Sequence, residues 1–126
     1  MRIKICGLTR KQDVQTAVAE GADALGFVLY APSPRSVTAE QATELIQSVP
    51  AFVTTVALFV DESAQEIHRV LKICQFDLLQ FHGDESPEFC RQFNRPYMKA
   101  IRVRSENDIT IAVQNYPDAK ALLLDA

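Results

Sequence analysis

The chain has 126 residues, of which 48% are hydrophobic, and a formal net charge of −3. That length allows one modest domain, residues 1–126, with a buried core. The scattered basic residues form no Arg/Lys stripe, which argues against nucleic acid as a partner. No apolar stretch is long enough to span a bilayer, and Lys4 and Arg10 interrupt any N-terminal signal pattern. Cys6, Cys74 and Cys90 form neither a CxxC pair nor a zinc spacing, so a reduced, cytoplasmic compartment is expected.

In chain order, short apolar runs alternate with helical ones. Ile3–Cys6 reads as a first strand, and Lys4-Ile5-Cys6-Gly7-Leu8-Thr9 places a thiol where that strand ends. Thr9 is expected to cap a helix over Lys11–Ala19, with Gly21 ending it. Ala24–Leu29 reads as strand 2, followed by Ala31-Pro32-Ser33-Pro34-Arg35-Ser36-Val37, a loop stiffened by two prolines. Thr38 with Gln41 makes a capping box for a helix to about Ser48, stopped by Pro50. Val53–Val60 is the third strand. Asp61 or Ser63 opens a helix over Gln65–Ile73 with Ile67, Val70, Leu71 and Cys74 on one face. Leu78–Phe81 is the fourth strand, trailed by His82-Gly83-Asp84, and Ser86-Pro87 starts a short helix through Phe93. Met98–Val103 is the fifth strand. Ser105 or Asn107 starts a helix that Pro117 stops, and Ala121–Leu124 is the sixth strand, with Asp125 at its end.

Five strand–helix units and a sixth strand predict an α/β fold with a parallel sheet. An open doubly wound sheet and a (β/α) barrel compete, and the absence of G-x-G-x-x-G after strand 1 gives a dinucleotide fold no support. In either fold the C-terminal strand ends carry the chemistry. Alternation puts Lys4 and Cys6 on one face of strand 1, and Gln80 and His82 on one face of strand 4. Each polar residue also has a plainer reading. Cys6 can be a small buried apolar residue, Asp125 a helix cap, His82-Gly83-Asp84 a turn, and Arg35 a solvated loop residue rather than a clamp for a carboxylate or phosphate.

Taken together, Lys4-Ile5-Cys6-Gly7-Leu8-Thr9, Gly26-Phe27-Val28, Ser33-Pro34-Arg35-Ser36-Val37, Gln80-Phe81-His82-Gly83 and Leu122-Leu123-Leu124-Asp125 resemble the phosphoribosylanthranilate isomerase family of tryptophan biosynthesis, in order and spacing across the whole chain. The resemblance implies a (β/α)8 TIM-barrel fold, no metal or cofactor, and an Amadori rearrangement of N-(5-phosphoribosyl)anthranilate, a small phosphosugar–anthranilate substrate. It makes Cys6 the general base, Asp125 the general acid, and Arg35 and His82 substrate-binding residues. Lys4, on the face of Cys6, is expected to favour the thiolate with its positive charge.

The family's glycine-rich phosphate loops after strands 7 and 8 have no counterpart among Gly7, Gly21, Gly26 and Gly83, and eight units need roughly 200 residues. The expectation is therefore an incomplete, C-terminally truncated barrel whose activity belongs to the complete, monomeric one. The alternative is a non-catalytic fragment that associates through its open sheet edges.

Overall fold

The computed structural model describes all of residues 1–126. Six strands alternate with five helices: β1 (Lys4–Cys6), α1 (Lys11–Ala19), β2 (Ala24–Val28), α2 (Ala39–Ile46), β3 (Thr54–Phe59), α3 (Ala64–Ile73), β4 (Leu78–Phe81), α4 (Pro87–Arg91), β5 (Tyr97–Arg102), α5 (Glu106–Asn115) and β6 (Ala121–Asp125). The strands form one sheet in the order β1-β2-β3-β4-β5-β6, and every neighbouring pair is parallel. A sheet that never reverses its order is the wall of a (β/α) barrel, because a doubly wound sheet reverses at a switch point. The expected architecture, five βα units and a sixth strand of a TIM-type barrel, is the one observed.

Strand alternation sorts the core into two faces. Leu25, Phe27, Ala57, Phe59, Leu79, Phe81 and Tyr97 share one phase. They pack in a single cluster with Val14, Ala42, Leu45, Ile67, Val70, Leu71, Cys90 and Phe93 from the helical side. The register aligns Phe27 with Ala57, Ala57 with Leu79, and Leu79 with Tyr97. The opposite phase, with Cys6, Gly26, Val28, Leu58, Gln80 and Ala100, faces away from the helices, on the side that forms a barrel's interior.

Most helix starts follow their predicted caps. Thr38 and Gln41 form the reciprocal capping box, with Gln41 N donating to Thr38 Oγ1 at 3.1 Å and Thr38 N to Gln41 Oε1 at 2.9 Å. Ser63, not Asp61, caps α3, and Ser86 caps α4. Gly21 ends α1 with φ +90°. Gly21 N donates to Val18 O and Ala22 N to Ala17 O, the paired bonds of a Schellman turn. Thr9 does not cap α1. Arg10 occupies that position without a side-chain cap bond, and its guanidinium instead grips Asp13 at 2.8 and 2.9 Å, a carboxylate in the first turn that offsets the helix dipole. Helix α2 stops at Ile46 and α4 at Arg91, short of Ser48 and Phe93. Strand β5 begins at Tyr97, because Tyr97 pairs with Leu79. No helix is long and apolar enough to cross a membrane.

Candidate active site

Of the three thiols, two are core. Cys74 and Cys90 are buried, and burial pushes both up, Cys90 to about 12 with the nearby Glu85 carboxylate adding to the effect. Thiols so protonated are inert. Cys6 differs: it is the last residue of β1 and only partly covered. Its register partner is Gly26. A Cβ on Gly26 would lie 2.8 Å from Cys6 Sγ and 3.3 Å from Lys4 Cε. The thiol and the Lys4 stem therefore converge on space that exists only because residue 26 has no side chain.

Beyond Cys6 the chain turns at Gly7, whose φ of +83° and lack of Cβ are both required. Gly7 N and Leu8 N both donate to Gly26 O. A side chain at Gly7 would collide with the Arg35 guanidinium, which lies across this turn and donates from Nη1 to the Cys6 carbonyl at 3.2 Å. The loop carrying Arg35 is tied back to β2 through Val37 N to Val28 O, 2.9 Å. Arg35 is thus held over the end of β1, on the Cys6 carbonyl, by backbone geometry from two adjacent strands.

The second half of the site lies at the far end of the sheet. His82 N donates to Phe59 O at 2.9 Å, fixing the residue past the end of β4. His82 Nε2 lies 3.2 Å from Asp125 Oδ2, and His82 Nδ1 lies 3.0 Å from Gln80 Nε2. Asp125 ends β6, beside Arg102 in register. His82 and Asp125 line a cavity of about 610 Å³ with Gly83, Asp84, Arg102 and Arg104, large enough for a small organic ligand. The four residues singled out from sequence thus meet as two pairs, Cys6 with Arg35 and His82 with Asp125, all at the C-terminal ends of parallel strands.

Beneath this rim lies a buried ion pair that the sequence reading missed. Lys99 Nζ is 3.5 Å from Glu85 Oε1, with side chains 3% and 2% exposed. Lys99 also donates to Gly83 O at 2.6 Å and Ala100 O at 3.1 Å. Glu85 accepts from Gly83 N and Asp61 N, each at 2.9 Å, and Tyr116 Oη donates to the Glu85 carbonyl at 2.6 Å. The pair fastens the loops after β3 and β4 to β5 and α5. The signal available was the lysine in the apolar strand run around Met98–Val103, on the phase of Tyr97.

The model of the family described as N-(5′-phosphoribosyl)anthranilate (PRA) isomerase matches residues 3–126. The N-(5′-phosphoribosyl)anthranilate isomerase of Alcanivorax borkumensis is 54% identical over 125 residues, covering 99% of this chain and 57% of that protein. The enzyme of the same name from Dechloromonas aromatica is 51% identical, covering 99% of the chain and 60% of the relative. The chain therefore spans about three-fifths of the length of these curated relatives. Among solved structures, phosphoribosyl anthranilate isomerase from Thermotoga maritima superimposes with a TM-score of 0.92 at 36% identity, covering 100% of this chain and 62% of that one. A phosphoribosyl anthranilate isomerase in complex with reduced 1-(o-carboxyphenylamino)-1-deoxyribulose 5-phosphate gives a TM-score of 0.92 at 38% identity, covering 99% and 64%. The chain belongs to the N-(5′-phosphoribosyl)anthranilate isomerase family.

Proposed function

We propose that this chain supplies the acid and the base of a phosphoribosylanthranilate isomerase, which converts N-(5-phosphoribosyl)anthranilate to 1-(2-carboxyphenylamino)-1-deoxyribulose 5-phosphate. Protonated Asp125 donates to the ribose ring oxygen; the C1′–O bond breaks and the nitrogen lone pair forms a Schiff base. Cys6, as thiolate, then removes the proton from C2′, and the resulting enolamine tautomerises to the ketone. Arg35 pairs with an anionic group of the substrate beside Cys6, and His82 borders the cavity in which the sugar lies. Three unpaired cysteines fit a cytoplasmic setting.

The observation that carries this reading is the room kept for the Cys6 thiol by Gly26, at a strand end that also holds Arg35. Packing alone has no use for an in-strand glycine there. The test is steady-state kinetics of the full-length gene product, followed by the fluorescence loss of the anthranilate substrate. Cys6→Ser and Asp125→Asn are each expected to lower kcat by about 10²-fold or more, the usual worth of a positioned acid or base. Wild-type kcat in either variant removes that residue from its role.

A further inference from the structure

We infer that Gln80 fixes the tautomer of His82 and, through it, decides which oxygen of Asp125 carries the transferable proton. The inference rests on the acid role proposed above for Asp125. Gln80 is 1% exposed and stands two residues before His82 on the inner face of β4. Its Nε2 lies 3.0 Å from His82 Nδ1. An amide nitrogen only donates, so Nδ1 accepts, and the neutral ring carries its proton on Nε2. That N–H points at Asp125 Oδ2, 3.2 Å away. Turning the amide over would place Nε2, with both its N–H groups, where Oε1 now sits without any partner. The observed orientation leaves the smaller debt, since it strands the oxygen and one N–H where the turned amide would strand both N–H groups, and a buried N–H is more rarely left unpaired than a carbonyl oxygen.

An orphan buried carbonyl still costs free energy that a leucine would not. Filling space is therefore no reason for a glutamine at this position, and its contact with His82 is. The consequence for Asp125 is geometric. Oδ2 is engaged as an acceptor, so the acid proton resides on Oδ1. When that O–H bond breaks and the proton passes to the sugar ring oxygen, the carboxylate left behind already faces an N–H donor, a charge-assisted bond that strengthens as the proton leaves. His82 keeps its proton throughout. Both Gln80 and His82 are positioning residues acting through Asp125.

Long-range ¹H–¹⁵N spectra of the full-length protein with labelled histidine read the tautomer directly. Wild type is expected to carry the His82 proton on Nε2. Gln80→Glu, whose carboxylate accepts from Nδ1, is expected to move that proton to Nδ1 and to lower kcat by about 10- to 100-fold, the worth of one hydrogen bond to a charged group, with KM unchanged. His82→Gln, which keeps an amide N–H near the place of Nε2, should retain more kcat than His82→Asn, which does not. A wild-type proton on Nδ1 overturns the inference, as does a Gln80→Glu variant with a moved proton and unaltered kcat. The wild-type spectrum decides the tautomer even where a variant fails to fold, and failure of the acid reading shows separately, in Asp125→Asn.

Discussion

Gly26 shows how a single residue can matter by what it lacks. On strand propensity alone, alanine should be the better choice there by about 0.5–1 kcal/mol. Space reverses the preference, because the added Cβ would sit 2.8 Å from Cys6 Sγ and 3.3 Å from the Cys6 Cα. The backbone contact is merely tight; the sulfur must move. Gly26→Ala is therefore expected to leave the melting temperature nearly unchanged while lowering kcat by about tenfold or more, since misplacement of a reacting atom by about 1 Å costs up to 10²-fold. Thermal melting and steady-state kinetics on the same preparation check both halves, and an unaltered kcat would mean that Gly26 does not set the thiol's position. Cys6 itself was legible from sequence because a strand end and a two-residue alternation identify it. The role of Gly26 was not, because it depends on the β1–β2 register, pairing Cys6 with Gly26, which no local pattern encodes.

At the scale of elements, loops past β3 and β4 reach their positions through the Lys99–Glu85 pair rather than through their own turns. Asp61 sits at φ 49°, its N–H held by Glu85 Oε2 and its Oδ1 accepting from Asp84 N at 2.8 Å. Breaking one partner leaves a buried charge without compensation, at a cost of about 3–5 kcal/mol. Lys99→Met is expected to destabilise the full-length protein by that amount. Lys99→Met with Glu85→Gln should cost less than the sum of the single changes, because the amide oxygen still accepts a loop N–H while the orphan charge is gone. Chemical denaturation of the four species measures the coupling, and strict additivity would show that the two side chains do not act as a pair. The elements themselves were readable, since caps such as Thr38, Ser63 and Ser86 act within a few residues. What escaped was the pairing of Lys99 with Glu85, because the partner lies in the loop beyond β4 and only the fold brings the two together.

Residues 1–126 form a barrel wall whose outer strands are β1 and β6. Strands β1 and β6 each have one neighbour only. Apolar side chains stand exposed on both, with Ile5 of β1 at 39% and Leu124 of β6 at 55% exposure, and Ile3 just before β1 at 44%. Unpaired parallel edges with apolar side chains are templates for further strand pairing. Neither β1 nor β6 contains proline; β1, three residues long with Lys4 turned inward toward Gly26, is the better protected of the two, and β6 the more open. Residues 1–126, produced as an isolated polypeptide, are therefore expected to self-associate through these edges. Sedimentation velocity should show a weight-average mass that rises with protein concentration. Ile5→Lys with Leu124→Lys, which place charge on both edges without touching Cys6 or Asp125, should shift the distribution toward monomer with far-UV dichroism unchanged. A single monomeric species at every concentration would mean that the edges are protected, and the same charges would then leave sedimentation unaltered.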